Sequence, residues 1–131
     1  LFILYELFGV VLITNEVLME FGSSLPNWVQ IQNPKNVHLF QQLNQSLDIG
    51  ESSAICLAYE QNALLIIDER KGRNKATELN LHLIGTLGVL ILAKRKGIIK
   101  EVKPFLDKLK SKGIWIHPTI THKILTEVNE L

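Results

Sequence analysis

Short, wholly apolar runs alternate along this chain with stretches whose apolar residues recur at helical spacing. Residues 2–8 read as a helix ending at Gly9, and Val10 to Ile13 as a strand apolar on both faces, as in a covered sheet. Asn15 is placed to cap a helix through Phe21, which Gly22, Ser23 and Ser24 stop. Trp28 to Gln32 is either a short edge segment or an extended loop. Between Pro34 and Gln45 the spacing of Val37, Leu39, Phe40 and Leu43 predicts a helix. Ser46 to Gly50 reads as a turn, and Glu51 opens a helix with Ala54, Ile55, Leu57 and Ala58 on one apolar face. Leu64 to Ile67 follows as a central strand, then a short helix over 73–80 and a strand from His82 to Ile84. Thr86 to Arg95 reads as an apolar helix and Ile99 to Leu109 as an amphipathic one. Ile114 to Ile116 is strand-like, and a final helix runs from about Thr121 to Leu131.

Strands alternating with helices predict an α/β fold, a mostly parallel sheet between helical layers. Right-handed crossovers bring the carboxyl ends of such strands to one edge, where ligands bind. Two acids lie near such ends: Asp68 directly follows Ile67, and Glu20 lies in the helix after Ile13.

At 131 residues the chain fits one domain, spanning 1–131, with enough length for a core. A hydrophobic fraction of 47% against 21% charged excludes global disorder. A single cysteine, Cys56, excludes an intramolecular disulfide framework; within a helical pattern it reads as a packed thiol in a reducing, cytoplasmic setting. The run from Gly85 to Ala93 is too short to span a bilayer, so no membrane association is expected.

The net charge of +1 hides an asymmetry. Residues 1–62 hold six acids and one base, whereas residues 63–131 hold thirteen bases and seven acids. A basic half beside a group of carboxylates suits a polyanion held over a metal, although a solvated charged surface explains the same numbers.

The carboxylates carry the chemistry. Glu20, Glu51 and Asp68, with Glu69 beside the last, each have a structural explanation when taken singly: Glu51 stabilises a helix start, and Asp68 caps a turn. Together they suit Mg²⁺ or Mn²⁺, hard ions that take carboxylate oxygens at about 2.1 Å and organise phosphate oxygens. Arg70 and Arg73 stand ready for phosphates, with Lys94 extending the track. Thr86 opens its helix either as a cap or as a phosphate contact. His38, His82, His117 and His122 are scattered and lack zinc spacing. No Walker motif or nucleophile triad appears.

The segments Leu47 to Ala58 (LDIGESSAICLA), Leu65 to Arg73 (LIIDERKGR) and Gly85 to Leu90 (GTLGVL), followed by Ala93-Lys94, resemble the DUF3368 branch of PIN-domain proteins, across nearly the whole chain. The resemblance implies a three-layer α/β/α sandwich and a metal-dependent endoribonuclease acting through Mg²⁺ or Mn²⁺. It maps metal-holding acids onto Glu20, Glu51 and Asp68, with the division of labour between Asp68 and Glu69 open. Relatives begin with a strand ending in another Asp, so the chain is expected to be N-terminally incomplete. Many relatives are toxins held by a small antitoxin protein and often dimeric, which adds RNA, an antitoxin and a second copy as expected partners. The alternative is a noncatalytic nucleic-acid-binding or regulatory protein with a degenerate site.

Overall fold

The computed structural model describes residues 2–22 and 24–131; Leu1 and Ser23 lie outside them, and with Ser23 part of the expected helix stop. The described chain packs as two compact units, one of residues 8–86 and one joining residues up to Leu7 with Leu87–Leu131.

In the first unit, β1 (Val11–Ile13) lies parallel to β2 (Val29–Ile31), pairing Val11 with Val29, Leu12 with Gln30 and Ile13 with Ile31. β3 (Leu65–Ile66) lies parallel to β4 (Leu83–Ile84), pairing Leu65 with Leu83. The Trp28 to Gln32 segment thus contains a strand, limited to Val29–Ile31. The parallel sense agrees with the alternating pattern, but among the described residues the strands form two separate two-stranded sheets rather than one continuous sheet.

Helix starts are set by side chains that accept orphan backbone N–H groups. α2 (Asn15–Phe21) begins one position earlier than expected: Thr14 is its cap, its Oγ1 accepting from Val17 N–H at 3.2 Å. Gly22, at φ 73°, closes it with an N–H to the Leu18 carbonyl, a left-handed position that favours glycine. Asn36 caps α3 (Val37–Asn44), and Asp48 caps α4 (Ile49–Gln61), so α4 opens two residues ahead of Glu51. Glu69 caps α5 (Arg70–Glu78), which explains why that helix starts before residue 73.

α4 is the spine of this unit. It packs against α2, α3, α5 and β3. An apolar face of Ala54, Ile55, Leu57 and Ala58 is therefore too narrow a description: Gly50, Ser52, Ser53, Ile55, Cys56, Leu57 and Ala58 are all buried, while Ala54 is half-buried. Leu43, Leu47, Ile55, Cys56, Ala58, Leu65, Ile67 and Ala76 form one apolar cluster around it. Burial pushes the Cys56 thiol up to about 11, helped by the neighbouring Glu60 carboxylate, which makes it an inert packing group as expected.

The second unit is helical beyond its first turns. α1 (Phe2–Phe8) carries the buried Ile3, and α6 (Thr86–Arg95) buries Val89, Leu90 and Ala93. α7 (Lys103–Ser111) starts later than Ile99, with Pro104 in its first turn, where the missing N–H costs nothing. α8 (Pro118–Glu127) starts earlier than Thr121: Pro118 opens it, and His117 Nδ1 accepts from Thr119 N–H at 3.0 Å. Ile114 to Ile116 forms no strand. Trp115 is 76% exposed there, in an edge-on contact with His117.

Candidate active site

Glu20 and Glu51 come together because α2 and α4 pack side by side. The join is a buried hydroxyl pair: Thr14 Oγ1 and Ser53 Oγ are 2.7 Å apart, and Ser53 also donates to the Gly50 carbonyl at 2.8 Å. Glu20 then lies over Gly50. A Cβ on Gly50 would stand 2.8 Å from both the carboxyl carbon and Oε2 of Glu20, so only glycine leaves room for that carboxylate. The next residue along α4 is Glu51.

On its other side Glu51 approaches α5. Its Oε2 lies 3.4 Å from where a Cβ on Gly72 would be, and Gly72 N–H donates at 2.9 Å to Glu69. Asp48 completes the group, its Oδ1 accepting from Glu51 N–H at 2.8 Å. Asp48 is not among the acids that the sequence alone assigns to the site. The signal was present, because Asp48-Ile49-Gly50-Glu51 has the acid-at-cap, Glu-at-N3 spacing of a capping box.

Crowding shows in the electrostatics. Burial, then the charges of Asp48 and Glu69, an Asp48 hydrogen bond and Glu20, push the Glu51 carboxyl up to about 6. Glu69 moves the other way, held below the usual carboxylate range by backbone N–H groups of Lys71 and Gly72. The two neighbours therefore have opposite tendencies: Glu69 keeps its charge and Glu51 resists acquiring one.

Asp68 is placed differently. Its Oδ1 accepts from Thr86 N–H at 2.7 Å and its Oδ2 from Thr86 Oγ1 at 2.5 Å, so it ties the end of β3 to the start of α6. Gly85, just ahead of α6, has no side chain to cap it. A Cβ there would fall 2.8 Å from Asp68 Oδ1 and 3.1 Å from Arg73 Nη1, so Asp68 supplies the cap from outside. Thr86 donates to that carboxylate rather than serving as the cap itself. No described contact joins Asp68 to Glu20 or Glu51. Its carboxylate still has unused lone pairs, since each oxygen accepts more than one bond.

The basic candidates also separate. Arg73 Nη1 donates to the Ile67 carbonyl at 2.8 Å and so braces the segment leading into Asp68. Arg70 is exposed at the first position of α5 and makes no ion pair among the described residues. Lys94, in the other unit, is committed to Glu130 at 2.8 Å and to the Val128 carbonyl at 2.6 Å.

The donor set suits a hard dication in kind: carboxylate oxygens, mutually repelling, with no described cation paired to Glu20, Asp48, Glu51 or Glu69. It is not a finished cage. Among the described residues no three His, Cys, Asp or Glu side chains stand in ready ligating geometry. No described helix is long and apolar enough to cross a membrane.

No curated protein and no solved structure matches the chain. The family model DUF3368, described as a PIN domain, matches residues 1–130, and the chain belongs to that family.

Proposed function

We propose that this protein is a divalent-metal-dependent endoribonuclease whose centre is built on Glu20, Glu51 and Glu69, with Asp68 as a further acid at the end of β3. Membership of the PIN-domain family supports the nuclease theme. The observation that carries the reading is the gathering of Glu20, over Gly50, with Glu51 and Glu69, where burial first and then the charges of Asp48, Glu69 and Glu20 raise Glu51 to about 6. Such crowding is costly without a cation and is relieved by one.

Mg²⁺ or Mn²⁺, when bound, would supply an activated water and offset charge on the phosphate oxygens. The chain's own residues do the rest. Glu20 and Glu51 hold the ion from two helices fixed by the Thr14–Ser53 contact. Glu69, kept ionised by the first N–H groups of α5, adds a permanent charge on the far side of Glu51. Arg70, one residue on, receives the phosphate next to the scissile one. Asp68 and Arg73 hold the turn that aims these groups.

The test is cleavage of a labelled RNA with Mn²⁺ and with chelator. Glu20→Gln and Glu51→Gln should each lower the metal-dependent rate by at least 100-fold while leaving the circular dichroism spectrum unchanged. Full activity in both variants, or cleavage indifferent to chelator, refutes the proposal.

A second reading, a noncatalytic nucleic-acid-binding or regulatory protein, draws support from Asp68, whose two oxygens are already engaged by Thr86. It requires RNA binding that persists without divalent ions. A small antitoxin partner, a homodimer and a cytoplasmic location belong to the first proposal. Light scattering of the protein alone and with the product of an adjacent gene tests the first two.

A further inference from the structure

We infer that Trp115 is a stacking platform for an unpaired base of single-stranded RNA, with the lysines at the end of α7 holding its phosphates. The site lies in the unit that joins residues up to Leu7 with Leu87–Leu131. Trp115 leaves 76% of its surface in water, beside Ile114 at 50%. This is not the exposure of a loose loop, because Ile116, the next residue, is buried and pins the segment. The ring is held as well. His117 meets it edge-on, with centroids 5.5 Å apart and planes at 83°. His117 is itself fixed as the cap of α8, its Nδ1 accepting from Thr119 N–H at 3.0 Å. An aromatic ring that is uncovered yet already positioned loses little freedom when a second ring stacks on it.

The charge around it has one sign. Residues 100–123 carry six lysines against two acids, and no acid follows Asp107 until Glu127. Lys108, Lys110 and Lys112 are exposed and form no ion pair among the described residues. Each favours the end of α7 through the helix dipole, which accounts for the lysines but not for an exposed indole beside them. The chain turns back at that end: Gly113 N–H donates to the Lys110 carbonyl at 3.0 Å and Ile114 N–H to the Leu109 carbonyl at 3.1 Å. Lys112 is thus three residues from Trp115, at most about 10 Å of chain. A fixed aromatic face among cations suits a ligand that is both flat and polyanionic. Single-stranded nucleic acid is such a ligand, whereas a duplex hides its base faces. The choice of RNA rests on the ribonuclease reading above.

Two other occupants fit less well. A bilayer surface needs an apolar helix face turned outward, but α7 buries Leu106 and half-buries Phe105 and Leu109. A second copy meeting this face about a twofold axis would set the same lysines against each other.

The probe is a fluorescein-labelled adenylate decamer, titrated into the protein in chelator and followed by anisotropy. Trp115→Leu keeps apolar bulk without a π face and should weaken binding about tenfold, while Trp115→Tyr, which keeps a ring, should lose less than about threefold. Thermal melting should be the same in all three proteins. Replacing Lys110 and Lys112 with Gln should flatten the slope of log affinity against log salt by about 0.7 for each charge removed. The decamer paired with its complement should bind without regard to residue 115. Equal binding of the single strand by the parent and Trp115→Leu overturns the inference. So does Trp115-dependent binding that is tighter to vesicles of anionic phospholipid than to the decamer, or a dimer in light scattering that Trp115→Leu dissolves. An enzyme that cleaves RNA yet binds the decamer alike with and without Trp115 ends this inference alone. Trp115-dependent binding by a protein that never cleaves ends the nuclease proposal alone.

Discussion

Thr14 and Ser53 share a hydrogen bond of 2.7 Å between two fully buried hydroxyls, 39 residues apart in the chain. Thr14 also caps α2 and Ser53 also reaches the Gly50 carbonyl, so one contact registers the helix of Glu20 against the helix of Glu51. Removing either hydroxyl leaves its partner short of a bond in a dry place, a cost of about 1–3 kcal/mol. Ser53→Ala is therefore expected to lower the unfolding free energy, read from urea titration, by that much. Mn²⁺ affinity measured by calorimetry should fall further than stability alone requires, because the carboxylates lose their alignment. Unchanged metal binding in a destabilised Ser53→Ala protein would leave the pair a purely structural role.

Gly50→Ala separates folding from function. Alanine gains up to about 1 kcal/mol of helix propensity over glycine in a helix interior. Its Cβ would strike Glu20, but only at the end of a flexible side chain, which can swing away. Thermal stability should therefore hold or rise slightly while Glu20 leaves the centre. Metal-dependent cleavage should drop by at least tenfold. A fully active Gly50→Ala protein would show that Glu20 has no part in the chemistry.

Both effects bear on what the sequence disclosed. The α/β alternation was legible because apolar runs and helical spacing are local, and the parallel pairing of β1 with β2 and of β3 with β4 agrees with it. Helix starts were misread where the capping group was a neighbour of the expected one, as with Thr14 for Asn15 and Asp48 ahead of Glu51. The one-sided reading of α4 failed because packing on several sides hides Ser52 and Ser53, and residue polarity alone does not report that. Asp68 was found as an acid at a strand end, but its hold on Thr86, 18 residues away, depends on β3 and β4 lying side by side. That relationship is tertiary and leaves no periodic trace.

Glu51 makes the protein's stability depend on pH in a definite sense. Its carboxyl is raised to about 6 in the folded chain, so between the unfolded value of 4.5 and about 6 the folded state binds the extra proton. Its contribution to stability is present below pH 4.5 and is lost as pH rises through 6. The shift corresponds to at most about 2 kcal/mol before solvent screening, and to less for a group only partly buried. Glu51→Gln should be more stable than the parent at pH 7.5, with the gap closing by pH 4.5 in paired urea titrations. Mn²⁺ should restore the parent at pH 7.5 and do little for the variant. A gap that widens toward acid would mean the carboxylate is stabilised rather than crowded.

Glu130 gathers the second unit. Its carboxylate accepts from Val102 N–H at 2.7 Å, Lys103 N–H at 2.9 Å and Lys94 Nζ at 2.8 Å, capping α7, whose own cap position holds Val102 with no capping side chain. Burial works to raise this carboxyl, yet the three donors outweigh it and hold it below the usual range. Its stabilisation is therefore complete above the unfolded carboxylate value and is lost as pH falls through the folded one. With a side chain only 9% exposed, replacing it takes one of two acceptors from Lys94, which keeps the Val128 carbonyl, and leaves the Val102 and Lys103 N–H groups without theirs. Glu130→Ala should cost about 2–4 kcal/mol, larger than any surface ion pair gives. Arg95 and Glu127, at 2.6 Å but well exposed, provide the internal control: Glu127→Ala should cost no more than about 1 kcal/mol. Equal losses in the two variants, measured by denaturant unfolding at pH 7, would show that Glu130 is one more surface pair.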